Sequence, residues 1–161
     1  MNIRMIKKLI ALLVVAMYAG TLNAQKNSII VFSEIHYNPL DSISNNGITL
    51  ASGDEFEFIE IHNISNNDYD LTGCQFLSGI YYPFPSGSII KAGDYLVISK
   101  NNFYFYQRYK KFPFGQYTFD TESSKLSNKG EKLILIDSKF DTLCMVDYED
   151  SDPWSPIADG L

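Results

Sequence analysis

Phe56-Glu57-Phe58-Ile59-Glu60-Ile61-His62-Asn63 is the stretch on which the fold turns. Apolar and ionisable residues alternate on either side of one phase change at Phe58-Ile59, so the period is two, that of a strand, and not 3.6. Ile and Phe suit a pleated, half-buried surface. Neither face is cleanly apolar. Phe56 and Phe58 share one with Glu60 and His62, and Ile59 and Ile61 share the other with Glu55 and Glu57.

Outward from this stretch, the same signal recurs at 29–36, 74–77, 81–84, 95–99, 132–137 and 142–148. Turn signals separate these segments, among them Asn45-Asn46-Gly47, Ser65-Asn66-Asn67-Asp68, Ala92-Gly93-Asp94 and Asn128-Lys129-Gly130. Short strands at this spacing predict an all-β sandwich. One segment departs from the pattern. Asn101-Asn102 followed by Phe103, Tyr106 and Tyr109 has helical spacing, Asn supplies an N-cap, and Pro113 bounds the segment. One short helix pinned by aromatics is therefore expected at the edge of the sandwich. The segment 38–54 reads as the longest loop.

The chain has 161 residues, room for one domain. Residues 1–24 read as a secretory signal peptide: Arg4, Lys7 and Lys8, then an apolar run over 9–16, then Thr21-Leu22-Asn23-Ala24 before the cut. The apolar run is shorter than the ~20 residues that span a bilayer. No Cys follows the cut, so no lipoprotein anchor is indicated. The mature domain is expected to be 25–161, exported to the cell surface, the periplasm or the medium. Removing the leader takes away three of the 13 basic residues and none of the 19 acidic ones, leaving a formal charge of −9. That charge argues against nucleic acid and anionic lipid as partners. With 11 Tyr and 11 Phe the chain has ample apolar area to bury. Cys74 and Cys144 allow one bridge or two separate thiols.

Taken together, these residues resemble the lamin-tail domain in its bacterial, exported form. Ile30-Val31-Phe32-Ser33-Glu34-Ile35-His36-Tyr37-Asn38-Pro39 resembles the family's first strand and Asn-Pro turn, and Glu55 to Asn63 its second strand. Asp70-Leu71-Thr72-Gly73 resembles the following turn, although Cys74 stands where the family usually has Trp. Tyr82-Pro83-Phe84-Pro85-Ser86-Gly87 with the strand after it, Leu126-Ser127-Asn128-Lys129-Gly130-Glu131, Asp152-Pro153-Trp154-Ser155-Pro156 and Ala158-Asp159-Gly160 complete the ordered set. The resemblance implies an immunoglobulin-like β-sandwich whose first two strands pair antiparallel. It puts Ile59 and Ile61 in the core and leaves Phe56 and Phe58 on the outer face, as a candidate partner surface or covered by the 38–54 loop. It implies an interaction or targeting module, in bacteria often attached to secreted or surface hydrolases and nucleases, and does not imply an enzyme. The family pattern runs on into a final strand beyond the Asp-Gly, so a missing closing strand and self-association through the open edge are expected of this sequence.

The residues themselves hold little catalytic material. There is no Gly-rich phosphate loop, Gly-x-Ser-x-Gly elbow or His-Glu-x-x-His. Glu34-Ile35-His36 and Glu60-Ile61-His62 repeat one tripeptide in two strands. Residues i and i+2 share a face, so Glu34, His36, Glu60 and His62 would meet if the register allowed, a set suited to zinc or another first-row metal. The alternative is a solvated face of cross-strand Glu–His pairs. Asp147, Glu149, Asp150 and Asp152 lack calcium-loop spacing and read as a solvated acidic turn, with Trp154 as an anchor. The leading expectation is a non-catalytic, cofactor-free secreted module that binds protein or glycan at a cell surface. The alternatives are a piece of a larger secreted hydrolase or nuclease, and a metal-binding module on the two Glu-Ile-His strands.

Overall fold

The structure is a computed structural model that describes residues 28–119 and 125–151. The leader at 1–24, together with Asp152, Trp154 and the Asp-Gly motif, lies outside the described residues.

Two sheets face each other across one core. The first sheet has strand order β1-β4-β8-β9, built from β1 (Ile30–His36), β4 (Phe58–Asn63), β8 (Tyr95–Ser99) and β9 (Gly115–Gln116). The second has order β11-β10-β6, from β6 (Gln75–Ser78), β10 (Gly130–Ile136) and β11 (Thr142–Glu149). Short pairs flank them: β2 (Ser42–Ile43) with β3 (Thr49–Ala51), and β5 (Tyr69–Asp70) with β7 (Ile89–Ile90). The predicted loop at 38–54 thus contains a hairpin, closed at Gly47 with φ +79, and a 3-10 turn at Gly53–Phe56. A Cβ on Gly53 would lie 1.8 Å from the Pro39 carbonyl oxygen, so only glycine lets these segments approach. The segment 81–84 is not a strand; it makes single bridges, Gln75 with Pro83 and Tyr81 with Thr118.

Inward-pointing residues of both sheets fill the core: Ile30, Ile59, Ile61, Leu96 and Ile98 from the first, Phe76, Leu133, Leu135 and Tyr148 from the second. Each apolar side chain so buried contributes about 1.5–3 kcal/mol, which drives the two sheets together. β1 also runs beside β11, across the boundary between the sheets. Ser28 Oγ donates to the Leu143 carbonyl at one end of that seam, and the Tyr37 ring stacks on Tyr148 at 4.8 Å at the other. The two strands therefore run in the same direction.

The helix, α1 (Asn102–Tyr109), begins where Asn101 Oδ1 accepts from the amides of Phe103 and Tyr104 at 3.1 and 3.3 Å. It ends at Lys110, whose φ of 57 reverses the chain. α1 links β8 to β9, which pair in parallel, so a β-α-β crossover sits within an otherwise antiparallel fold. It does not lie at the edge of the sandwich but roofs the outer face of the first sheet. The Phe58 ring meets Phe105 and Tyr109 at 5.4 and 5.5 Å, and Phe56 meets Tyr104 at 5.6 Å.

Candidate interaction groove

This packing corrects the expectation for the two phenylalanines. Phe56 and Phe58 are 3% and 7% exposed and so offer no partner surface. Strand alternation does point Phe58 away from the sandwich core, but α1 covers it. Arg108 closes the arrangement, with its guanidinium 3.3 Å from the Phe56 ring centroid and one nitrogen donating to the Leu40 carbonyl at 2.7 Å.

The Glu-Ile-His strands pair antiparallel, but a register shift between Phe32 and Glu34 decides which side chains oppose. Glu34 lies opposite Glu60, His36 opposite Phe58, and His62 opposite Val31. His36 and His62 therefore sit at opposite ends of the strand pair, about 13 Å apart at a rise of ~3.3 Å per residue. The His36 ring packs tilted against Phe58 at 5.1 Å, and His62 stacks on Tyr95 at 4.0 Å. Burial and the Glu60 charge push the Glu34 carboxyl up, and burial and Arg108 push His36 down. Ser33 Oγ donates to Glu60 Oε1 at 2.8 Å. The four residues do not converge. Among the described residues no three His, Cys, Asp or Glu side chains form a group that could hold a metal ion. In the acidic run, Asp147 pairs with Lys132 at 3.3 Å, and Glu149 accepts from Ser151 Oγ at 3.3 Å. Cys74 and Cys144 are separate buried thiols, raised by burial to about 11 and about 12.

The surface that stands open lies where α1 hands the chain back to the sheet. After Lys110 the segment 111–114 returns along β8, fixed by the Phe114 amide donating to the Val97 carbonyl at 2.7 Å. Between it and β7 runs a groove of about 340 Å³, its apolar wall formed by Ile89, Leu96, Val97, Phe105, Phe112 and Phe114. Phe112 is 82% exposed yet its ring is held against Tyr106, 4.5 Å away and 20° from parallel. Tyr95 stands at the rim, and Lys91, Asp94 and Lys111 supply charge there. Lys91 is tied to Asp68 at 2.7 Å. β9 pairs β8 at Ile98 and Ser99, and no described strand continues that pairing along Tyr95 and Leu96. A second recess, about 360 Å³, lies between the β2–β3 hairpin and α1, lined by Leu50, Ala51, Phe56, Tyr104 and Arg108.

A different cluster escaped the sequence reading altogether. Glu57 continues the inward face of β4 and is 0% exposed. Its Oε2 accepts from the Leu126 amide at 3.0 Å and from the Tyr117 hydroxyl at 3.4 Å. Among the described residues Oε1 has no hydrogen-bond partner. Close by, Glu131 Oε1 accepts from the Ser127 amide at 2.8 Å and from the Tyr148 hydroxyl at 3.0 Å, and Asn128 Nδ2 donates to Asn38 Oδ1 at 2.8 Å. The signal was present, since Glu57 shares a face with Ile59 and Ile61, but one strand cannot say whether its end is covered.

Two facing sheets of mostly antiparallel strands over one core make this an immunoglobulin-like β-sandwich. The family model of the Lamin Tail Domain matches residues 23–150, and the chain belongs to that family. In structure it is similar to a DUF4876 family protein from Bacteroides thetaiotaomicron VPI-5482, with a TM-score of 0.52 and 15% identity over 78% of this chain. That likeness is one of fold, and this chain spans 55% of the length of that one. No curated protein matches the chain.

Proposed function

We propose that this lamin-tail domain is an exported, non-catalytic module that binds a protein partner at the cell surface, through the groove between β8 and the segment 111–114. The observation that carries the reading is Phe112. A large aromatic ring packed on Tyr106 and left in water beside an apolar groove offers area that a partner can bury. The groove is apolar along its walls and charged at its rim, the usual anatomy of a docking site. The Val97 and Ser99 carbonyls face the β8 edge beside it and accept from the Phe114 and Tyr117 amides. By alternation Tyr95 presents its main chain on the same edge, where no described strand pairs with it, so an extended peptide can add main-chain hydrogen bonds at Tyr95 and lay apolar side chains into the groove. Export rests on the leader-like order of residues 1–24.

Selection of displayed random peptides on the purified chain tests this. Enrichment of extended apolar sequences whose affinity falls tenfold or more, about 1.4 kcal/mol, in a Phe112→Ser variant is the expected result. Phe112-dependent binding on a glycan array, with no peptide enriched, would move the reading to carbohydrate. Peptide binding indifferent to Phe112 would remove the groove from it.

A further inference from the structure

We propose that Glu57 is a pH-sensitive clasp: protonated it closes the corner where Tyr117 and Leu126 meet β4, and on losing its proton it loosens that corner.

The geometry makes the neutral form the fitting one. The carboxyl is fully enclosed, and only Oε2 finds donors, the Leu126 amide and the Tyr117 hydroxyl. Oε1 has no partner among the described residues. A carboxylate needs donors on both oxygens, and leaving one bare in a dry site is costly. The surrounding charges do not supply the deficit. Lys100, at the end of β8, is turned to Glu55 at 3.8 Å, and Lys125 to Asp54 at 3.3 Å. The Leu126 amide, then Lys100 and Lys125, favour ionisation and Asp54, in the 3-10 turn, opposes it, and together they do not outweigh burial. On the other side stand Tyr117, Tyr148 and Glu131, none of them a cation. Burial is the largest influence and holds the Glu57 carboxyl up at about 8, against 4.5 for an ordinary glutamate.

The sign of the effect follows from linkage. Below pH 4.5 the folded and unfolded chains both carry the proton and the clasp is at full strength. From there to about pH 8 the unfolded chain ionises first, so stability declines as pH rises, and it levels off once the folded carboxyl ionises too. Over that span the unfolding equilibrium constant rises on the order of a thousandfold from this group alone. The buried tyrosines ionise above this window, because burial raises Tyr117 and Tyr148 beyond the ordinary phenol range. A module facing outside medium would thereby hold its fold tightly in acid and relax in mild alkali.

The test follows the urea midpoint of the purified chain from pH 5.5 to 9 beside that of Glu57→Gln, which keeps the shape and cannot ionise. The expected result is a falling midpoint for the natural chain and a much flatter profile for the variant. Amide exchange at Leu126 should quicken with pH, beyond the intrinsic base-catalysed rate, in the natural chain alone. If Glu57→Gln does not fold, carbon-13 carboxyl shifts of the natural chain decide. A Glu57 midpoint between about 7 and 9 supports the clasp, and one below 5.5 overturns it. Parallel profiles for chain and variant also overturn it.

Discussion

The side-chain amide of Asn63 donates to the carbonyl of Asn67, four residues on, at 2.7 Å. The same nitrogen lies 3.2 Å from the Ile90 carbonyl and 3.1 Å from that of Lys91, while Oδ1 accepts from the amide and hydroxyl of Ser65 at 3.1 and 2.8 Å. One buried amide thus closes the turn after β4 and ties it to the last residue of β7 and the one after it. Asp fits the space but points acceptors at three carbonyl oxygens. We expect Asn63→Asp to lose about 3–5 kcal/mol at pH 7, more than Asn63→Ala. It should recover in part near pH 4, where a proton restores one donor. Urea midpoints of both variants at the two pH values check this.

Asn101 caps α1 and also donates through Nδ2 to Glu55 Oε2 at 2.8 Å. Losing both functions in Asn101→Ala should cost about 1–2 kcal/mol. Because α1 roofs Phe58, the loss should appear as a lower melting temperature for the whole domain rather than as local fraying.

Sequence reading reached β8, β11 and α1 because each carries its signal locally: alternation in the strands, and Asn101 with a run of aromatics for the helix. It missed the β2–β3 hairpin, whose Ile43 and Leu50 side chains are exposed, so that no buried face marks the strands. Alternation alone puts Phe58 on the outer face of β4 and leaves that face either a partner surface or covered by the 38–54 loop; the cover is α1, because what roofs a sheet is decided by a helix far along the chain. The antiparallel register that leaves His36 and His62 at opposite ends, and the shift after Phe32 that sets Glu34 opposite Glu60, are properties of two strands and are written in neither alone.

Phe112 separates binding from folding. At 82% exposure its replacement by Ser should leave stability within about 0.5 kcal/mol. Replacing Phe58 by Ala, under the same helix, should cost about 3–5 kcal/mol. Thermal melts of the two variants, one near the parent and one far below it, are the expected pair. Similar losses for both would mean that Phe112 is structural.

His36 adds an acid-side dependence. Burial, then Arg108, lowers its pKa below the ordinary 6.5, so the folded chain prefers the neutral ring. The stability this group contributes is intact above pH 6.5 and is lost as pH falls below it, where the unfolded chain gains the proton first. A His36→Phe variant, with a ring to stack on Phe58, should lose less stability between pH 7 and 5 than its parent, measured as the change in urea midpoint.

Cys74 and Cys144 should both react with dithiobis-nitrobenzoate in denaturant and hardly at all in the folded chain at pH 8. Both thiols are buried and raised to about 11 and about 12. Two fast-reacting thiols in the native chain, or none after unfolding without reductant, would contradict this.

The seam between β1 and β11 has a mechanical consequence. The two strands run in the same direction, with Ser28 against Leu143 at one end and Tyr37 against Tyr148 at the other. Tension entering before β1 and leaving after β11 pulls them in opposite senses along their shared length. The seam is then loaded in shear, and its contacts must give way together instead of peeling one after another. Forced unfolding is governed by the unfolding rate rather than by equilibrium stability. This arrangement suits a domain that carries load between its two ends.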